Sequence, residues 1–445
     1  MVVKKKKKLQ VALTTLGCKV NQFESAAFLS GLAGREVELV PFSQRADIYI
    51  INTCAVTARA GAQSRQLIRR ALRANPGARL VVTGCYAQIA AQEILELADS
   101  PLCIVGNGYK HRLVDIALAD QHCDLEMHMG DIGSRREISP LTVTSFGERT
   151  RACLRVQDGC NSFCSYCIVP YARGRSRSLS PEKVVEQAAI FAARGYKEQV
   201  LTGIHLGLYG QDLAPQSSLR ELLALLLAQR LSGRYRLSSL EPTEIGDGLL
   251  ALMAESAAIM PYLHIPLQSG DDGILKRMNR RYPAATFREV VEKSRVRLPG
   301  VAIGVDVLVG FPGEDEAAFR NTYALLDSLP IAYLHVFPYS KRPGTPAATM
   351  PHQVAGPVKE ERVALLRELD HKKRTAFYRQ HLGTEAQVLV EGRKAGNRLR
   401  GFSGNYIPVF FEGDGSLVNQ LVRVRLRELT EGGVLGTIID NPSQG

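Results

Sequence analysis

Three cysteines close together are the feature that most constrains this chain. Cys160, Cys164 and Cys167 lie within eight residues and have the spacing C-x3-C-x2-C. Three thiolates on one loop can hold three corners of a [4Fe-4S] cluster and leave the fourth iron open to a non-protein ligand. Structural zinc usually takes four ligands from paired cysteine or histidine units, and the sequence lacks such a second pair. The loop therefore predicts an iron–sulfur cluster with an open iron, with zinc or ordinary buried thiols as the alternative.

A second set of cysteines follows three similar apolar runs near the N-terminus. The runs end in Leu16-Gly17-Cys18, Asn52-Thr53-Cys54 and Thr83-Gly84-Cys85. Such runs predict buried parallel strands with crossover helices, that is, an N-terminal doubly wound parallel sheet. Loops after parallel strands share one edge, so Cys18, Cys54 and Cys85 are expected to meet there as a second three-thiolate set. The alternative is three packed thiols.

Other cysteines and histidines do not predict a metal site. Cys103, His122, Cys123 and His128 are irregularly spaced, which favours scattered structural or exposed residues.

From Arg151 to about Arg379 a strand–helix alternation repeats six times. It predicts a central partial TIM (βα)6 barrel with its site on the loops at the strands' carboxyl ends. The predicted strands are Ala152 to Val156, Gln199 to Ile204, Tyr235 to Leu240, Tyr262 to Leu267, Val301 to Val309 and Tyr333 to Tyr339. The cysteine loop follows the first of them.

The last section shows short alternating runs separated by glycines. It predicts a small C-terminal antiparallel β-barrel of OB-like size. The whole chain is thus expected to be of the α/β class. The predicted domains are an N-terminal domain over 9–120, a linker over 121–148, the (βα)6 domain over 149–380 and the small barrel over 381–441.

The charge of the chain favours a polyanionic partner such as nucleic acid. The formal net charge is +12 and the pI is near 9.3, partly because of the lysines at Lys4 to Lys8, which are expected to form a solvated tail. The apolar stretch behind them is too short and polar for a signal or membrane segment. Nine cysteines in 445 residues indicate reduced thiols, and hence a cytoplasmic protein.

The cysteine loop resembles that of the radical S-adenosylmethionine (SAM) enzymes, in which the open iron chelates the amino and carboxylate groups of SAM. Nearly the whole chain, from residue 9 to about 440, further resembles the methylthiotransferases. The motifs that carry this likeness are Thr15-Leu16-Gly17-Cys18, Asn52-Thr53-Cys54, Thr83-Gly84-Cys85-Tyr86, Gly159 to Cys167, Pro266-Leu267-Gln268-Ser269-Gly270 and Val309-Gly310-Phe311-Pro312-Gly313-Glu314. Members of that family have an N-terminal cluster domain, a radical SAM domain and a C-terminal TRAM domain.

The resemblance implies an enzyme that modifies tRNA. Gly17-Cys18-Lys19-Val20-Asn21-Gln22 and the segment His335 to Thr345 look like the branch that acts on N6-threonylcarbamoyladenosine beside the anticodon. In that branch a 5′-deoxyadenosyl radical from SAM removes hydrogen from C2 of the adenine. A second, auxiliary cluster carries the sulfur, and a second SAM supplies the methyl group. Two [4Fe-4S] clusters and two SAM per turnover are therefore expected.

The implied site residues and partners follow from the same likeness. Cys160, Cys164 and Cys167 bind the first cluster, and Cys18, Cys54 and Cys85 bind the auxiliary cluster. The SAM contacts expected from their positions at strand ends or beside the cysteine loop are Thr202, Gly203, Ser239, Gln268 and Arg173. No side chain is expected to act as a catalytic acid or base. The expected partners are the tRNA anticodon stem-loop, a flavodoxin- or ferredoxin-like electron donor and a sulfur donor, with no membrane.

Other functions remain open on the residues alone. Within enzymes, the chain could methylthiolate isopentenyladenosine in tRNA or a ribosomal protein side chain. Outside enzymes, an iron–sulfur RNA-binding scaffold or a zinc-stabilised RNA-binding module would share the cysteines, but neither would cleave SAM.

Overall fold

The computed structural model describes residues 8–97, 101–119, 125–147, 149–231, 233–395 and 398–440. Lys4 to Lys7 of the predicted tail, and His122 and Cys123, lie outside these ranges.

The N-terminal part is a six-stranded parallel sheet in the order β2-β1-β3-β4-β5-β6. Its strands are β1 (Leu9–Thr15), β2 (Val37–Val40), β3 (Ile48–Thr53), β4 (Arg79–Gly84), β5 (Leu102–Val105) and β6 (Leu125–His128). The helices between them are α1 (Lys19–Leu32), α2 (Ala58–Ala74), α3 (Cys85–Ile89), α4 (Ala91–Leu95) and α5 (Leu113–Ala117).

Both faces of this sheet are buried. Along β3, Ile48 and Ile50 pack into one core, while Tyr49 and Ile51 pack into the core on the opposite face. Alternate side chains of a strand point to opposite faces, so an apolar run without alternation is what a sheet covered on both sides requires. The predicted doubly wound sheet is confirmed.

Three strands of this sheet were not predicted. The edge strands β2 and β6 are short and mix exposed with half-buried residues, so their sequences carry little apolar signal. Strand β6 lies within the segment predicted to be a linker, and that part of the linker prediction is wrong. Strand β5 is buried, but the loop after it carries no cysteine to mark it as a fourth unit.

The central part contains six parallel strands. They are β7 (Arg151–Arg155), β10 (Glu198–Thr202), β11 (Arg234–Leu237), β12 (Tyr262–His264), β13 (Ala302–Val309) and β14 (Tyr333–Pro338), and the pair β8 (Gln157–Asp158) and β9 (Arg177–Ser178) forms a small antiparallel ribbon. The helices are α6 (Val169–Arg173), α7 (Pro181–Ala193), α8 (Leu219–Ala228), α9 (Asp247–Glu255), α10 (Asp272–Arg277), α11 (Ala284–Arg297), α12 (Glu316–Ser328) and α13 (Gly356–Gln380).

These six strands form an open barrel. They pair as β7-β10-β11 and β12-β13-β14, and a bridge between Tyr235 and Ile259 joins the two groups. Among the described residues, β7 and β14 each pair with one neighbour only. The barrel therefore has a lateral opening between these two strands. The predicted partial barrel and its six strands are confirmed, with ends shifted by a few residues.

The C-terminal part is a closed five-stranded barrel in the order β15-β16-β17-β19-β18. Its strands are β15 (Glu385–Ala395), β16 (Arg398–Ser403), β17 (Pro408–Phe411), β18 (Leu421–Thr430) and β19 (Gly433–Asp440). The predicted small barrel is confirmed. One pair, β17 with β19, is parallel, whereas the others are antiparallel as expected.

A buried carboxylate joins the central barrel to the C-terminal barrel. Glu198 on β10 accepts hydrogen bonds from Arg151, Arg234 and Arg236. Arg234 and Arg236 also donate to backbone carbonyls of the C-terminal barrel, and Arg151 pairs with Glu391 of that barrel at 2.6 Å. Because each guanidinium has partners in both parts, this network fixes how the small barrel sits on the central strands.

Within the described ranges, no helix combines the length and the apolar character that crossing a bilayer demands.

Candidate active site

The three N-terminal cysteines lie at one edge of the sheet. The strands β1, β3 and β4 are adjacent and parallel. Cys54 and Cys85 directly follow β3 and β4, and Cys18 follows β1 after a short turn. Cys18 is exposed, while Cys54 and Cys85 are buried, and all three are free thiols. The structure therefore brings these residues together at the carboxyl edge, as the sequence predicted.

Two glycines allow these cysteines to approach one another. Gly17 and Gly84 both have φ of +98°. A Cβ at Gly84 would lie 2.3 Å from the carbonyl oxygen of Thr53, and a Cβ at Gly17 would lie 2.9 Å from Cys54 Sγ. Only a residue without a side chain fits at either point. The turns before Cys18 and Cys85 are thus packed directly against the turn that carries Cys54.

The electrostatics of this edge suit a group that binds thiolates. Burial, and then the neighbouring Cys85, raises the pKa of Cys54 to about 11, so the Cys54 thiol stays protonated without a positive ligand. Burial also raises the pKa of Cys85, but the nearby cations Arg173 and Lys110 oppose that rise. Three free thiols with buried cations beside them fit an anionic iron–sulfur cluster, in which the thiolates are the ligands.

The second set of cysteines lies on the loop between β8 and β9. Gly159 has φ of +75°, and a Cβ there would meet the Arg175 carbonyl oxygen at 2.0 Å. The Cys160 amide donates to Gly174 O, and the Cys167 amide donates to Cys164 O. The loop is consequently folded back on itself, with all three thiols on one turn. Burial and then Cys164 raise the pKa of Cys167 to about 12, which indicates that these thiols also lie close together.

His205 contacts this loop. Its Nδ1 lies 3.3 Å from Cys160 Sγ and 3.2 Å from Ser162 Oγ, and its Nε2 lies 2.5 Å from Glu244 Oε1. Burial disfavours the charged imidazole, but the contacts with Cys160 and Glu244 outweigh burial and raise the pKa of His205 to about 10. The structure thus places this histidine in contact with a predicted cluster ligand.

A small cavity opens beside the same cysteines. It has a volume of about 190 Å³ and is lined by Cys164, His205, Glu241, Arg280 and Tyr282, among others. The side chain of Arg280 is 6% exposed, is hydrogen-bonded to Glu241 and donates to Cys164 Sγ at 3.5 Å. The guanidinium of Arg280 is therefore turned inward, towards the cysteine loop.

The residues predicted to contact SAM lie at the expected strand ends but differ in access. Gly203 and Gln268 are half-buried, and Ser239 lines a large cavity described below. Thr202 is 2% exposed; its hydroxyl donates to Val200 O and its carbonyl accepts from Val156 N. Gly203, Ser239 and Gln268 stay predictions, whereas this geometry argues against a direct contact by Thr202.

The predicted SAM contact by Arg173 has no support in the structure. Arg173 is 1% exposed, and its guanidinium donates to Asp158, Glu24 and Asn21. Glu24 and Asn21 belong to α1, so Arg173 joins the N-terminal sheet to the central barrel. Its partners are protein atoms of α1 and of β8, so the structure gives Arg173 a positioning role and not a contact with SAM.

Two large cavities lie at the lateral opening of the central barrel. One of about 750 Å³ is lined by Ser239, Tyr262, His264, His335 and residues of the C-terminal barrel, and one of about 910 Å³ extends along β7. Within the first, Asp306 accepts hydrogen bonds from His264 at 2.8 Å and from His335 at 3.3 Å. Burial opposes ionisation of Asp306, but these two histidines hold its pKa well below the ordinary value.

Comparison with known proteins agrees with this arrangement. The model of the uncharacterized protein family UPF0004 matches residues 10–106, and that of the radical SAM superfamily matches residues 154–326. The threonylcarbamoyladenosine tRNA methylthiotransferase MtaB of Bacillus subtilis is 39% identical, covering 94% of this chain and 93% of the relative. The chain belongs to the radical SAM methylthiotransferase family. The protein of that name from Aquifex aeolicus is 40% identical over 94% of this chain and all of its own length.

A related branch of the family and a solved structure are more distant. The tRNA-2-methylthio-N(6)-dimethylallyladenosine synthase of Novosphingobium aromaticivorans is 33% identical, covering 95% of this chain and 96% of the relative. The radical SAM methyltransferase TsrM of Kitasatospora setae, a structure with cobalamin and a [4Fe-4S] cluster, has a TM-score of 0.55 at 17% identity and covers 77% of each chain. The likeness to TsrM supports the fold alone. Family membership implies SAM and a [4Fe-4S] cluster as cofactors of this chain.

Proposed function

We propose that this enzyme inserts a methylthio group at C2 of N6-threonylcarbamoyladenosine beside the anticodon of tRNA. The observation that supports this most is the relation to the two branches of the family. Five relatives named for threonylcarbamoyladenosine are 34–40% identical, whereas three dimethylallyladenosine synthases are 32–34% identical. Methylthiolation of isopentenyladenosine or of a ribosomal protein remains an outcome that the experiment below would reveal.

The proposed site has two clusters. Cys160, Cys164 and Cys167 would hold the [4Fe-4S] cluster that binds SAM, and Cys18, Cys54 and Cys85 would hold a second. When bound, the clusters and SAM supply the electron transfer and radical chemistry that replacement of an inert C–H bond requires. Gly203, Ser239 and Gln268 are the residues proposed to contact SAM.

The chain itself supplies position and shelter for the reaction. The Glu24–Arg173–Asp158 contacts connect α1, which begins after Cys18, to β8, which precedes Cys160. These buried ion pairs fix the two cysteine sets relative to each other. The cavities at the lateral opening can enclose a base, and enclosure orients it and keeps water away.

The proposed partners are a tRNA anticodon stem-loop, a flavodoxin- or ferredoxin-like electron donor and a sulfur donor, all in the cytoplasm. The net charge of +12 supports a nucleic-acid partner. Exposed arginines along α2 add to the basic surface of the N-terminal part; they are Arg59, Arg69, Arg70 and Arg73.

The test uses protein reconstituted anaerobically with iron and sulfide. After incubation with dithionite, SAM and tRNA that carries the threonylcarbamoyl group, nucleosides are analysed by mass spectrometry. We expect about eight irons per chain and a methylthio product. A product on isopentenyladenosine tRNA alone would reassign the substrate. Bound zinc in place of iron, or a lack of SAM cleavage, would contradict the proposal of radical SAM activity.

Matched cysteine variants separate the two sets. Replacing Cys160, Cys164 and Cys167 by alanine should abolish SAM cleavage. Replacing Cys18, Cys54 and Cys85 should preserve SAM cleavage but abolish methylthiolation. Cys103→Ala is the control, because Cys103 is a buried thiol within β5 and belongs to neither set.

A further inference from the structure

Two cations that form no ion pair within the described residues line the cavities at the lateral opening of the central barrel. Lys19 is the first residue of α1 and follows Cys18, and Arg400 lies on β16 of the C-terminal barrel. Both side chains line the 750 Å³ cavity and the 910 Å³ cavity. Neither forms an ion pair or a hydrogen bond with any residue in the described part of the chain, and Arg400 Nε is buried without an acceptor.

The other arginines of these cavities are already bound. Arg149 donates to Gln22, Arg151 pairs with Glu198 and Glu391, and Arg374 pairs with Asp370. Among the described residues, Lys19 and Arg400 thus differ from their neighbours in lacking a protein acceptor. Lys19 is exposed and available to a ligand, whereas Arg400 is half-buried, and an anionic ligand between the two side chains would give the buried Nε of Arg400 the acceptor that it lacks.

Aromatic rings form part of the wall of the 750 Å³ cavity. The ring centroids of Tyr262 and Tyr406 lie 4.9 Å apart, and the ring of Phe402 lies 5.1 Å from that of Tyr406. These rings pack on one another, and the guanidinium of Arg236 lies over both tyrosine rings, so they form a fixed wall of the cavity. Arg400 lies over the Phe402 ring at 4.9 Å, so its charge is next to these aromatic faces.

We propose that Lys19 and Arg400 bind the carboxylate of the threonyl group on the substrate base, and so determine which modified adenosine is accepted. This inference rests on the proposed function. The threonylcarbamoyl group carries a carboxylate, whereas a dimethylallyl group is uncharged and apolar. In adenine, C2 and C6 are both bonded to N1, and C6 carries the N6 substituent. The substituent therefore lies near the atom that reacts. A cation that directly follows Cys18 is well placed to contact it. Lys19 and Arg400 are specificity residues and take no part in bond breaking.

The experiment compares one tRNA with and without the threonylcarbamoyl group. Dissociation constants and kcat/KM are measured for the reconstituted wild-type enzyme and for Lys19→Gln, Arg400→Gln and the double variant. Wild type should prefer the modified tRNA, and each variant should lose about tenfold or more of its affinity for that tRNA, as expected when a charge-assisted contact is removed. Affinity for the unmodified tRNA, iron content and SAM cleavage without tRNA should stay at wild-type values.

Charge-retaining and surface variants complete the design. Lys19→Arg and Arg400→Lys should restore most of the preference. Arg398→Gln is the matched control, because Arg398 is an exposed arginine on β16 that lines neither cavity. Its dissociation constants should match those of wild type.

The possible results separate this inference from the proposed function. Equal weakening of both tRNAs would mean that Lys19 and Arg400 contact backbone phosphates, which would overturn the inference. An unchanged preference in the double variant would overturn it as well. If wild type neither prefers nor methylthiolates the threonylcarbamoyl tRNA, the proposed function itself fails, and the inference fails with it.

Discussion

Glu24 is the residue on which the junction between the N-terminal sheet and the central barrel depends. It is 1% exposed and binds both Lys110 and Arg173. We expect Glu24→Gln to lower the free energy of unfolding by about 3–5 kcal/mol, because two buried cations lose a charged partner. Urea unfolding at neutral pH measures this loss. Glu36→Gln, at an exposed position, is the control and should change stability by less than about 0.5 kcal/mol.

The pH dependence of the same variant gives an independent check. Burial opposes ionisation of Glu24, but Arg173 and Lys110 outweigh burial and lower its pKa. A carboxylate with a lowered pKa in the folded state stabilises the fold above its unfolded pKa, and this contribution is lost as the pH falls. The stability difference between wild type and Glu24→Gln should therefore shrink on acidification. A difference that is constant with pH would mean that the charge of Glu24 is not what stabilises this junction.

At the scale of single residues, the sequence predicted which cysteines lie together but not which residues the buried arginines and the histidine contact. Cys18, Cys54 and Cys85 were predicted to meet because each follows a strand of one parallel sheet. The roles of Arg173, His205 and Arg280 each depend on a contact with a residue far away along the chain, such as Glu24 for Arg173, Cys160 for His205 and Glu241 for Arg280. A single histidine or arginine has no periodicity that would reveal such a partner.

At the scale of elements, the junction of β4 and α3 is the most sensitive part of the N-terminal cysteine site. Gly84→Ala would force a side chain into the left-handed region and against the Thr53 carbonyl oxygen. We expect Cys85 to be displaced and the iron content to fall by about four per chain, since one cluster would be lost. SAM cleavage by the other cysteine set should persist. Iron analysis and SAM cleavage assays on the reconstituted variant measure both effects.

A second glycine provides the control for backbone strain. Gly34 also has a positive φ, +85°, but a Cβ there would meet no atom within 4 Å. Gly34→Ala therefore introduces a similar backbone cost without the collision. It should retain the full iron content, and a loss of iron in both variants would point to general destabilisation and not to the turn before Cys85.

The elements that the sequence predicted well are those with a continuous or repeated apolar pattern. All six central strands and the three strands that precede the N-terminal cysteines were found this way. The edge strands β2 and β6 were missed because one side of each is open to solvent and their residues mix polar and apolar types.

At the scale of the whole molecule, the relative placement of the three parts could not be predicted. Their interfaces combine apolar contacts, such as Phe23 of α1 in the core of the central barrel, with buried arginine–carboxylate networks, and these networks have no sequence period that would reveal them. The network around Glu198 has a functional consequence, because it holds the C-terminal barrel, and hence Arg400, against the lateral opening. The C-terminal barrel thus contributes directly to the proposed substrate cavity.

Glu198→Gln tests this coupling. The change leaves Arg234 and Arg236 buried without their carboxylate, so we expect the C-terminal barrel to separate more readily from the central strands. Amide hydrogen exchange should then increase in β16, and the preference for threonylcarbamoyl tRNA should fall because Arg400 is no longer held in place. Glu385→Gln is the control, since Glu385 pairs with Arg423 and Arg425 on the exposed face of the same barrel. If exchange in β16 rises in Glu198→Gln while the tRNA preference is unchanged, the C-terminal barrel serves only as a structural attachment.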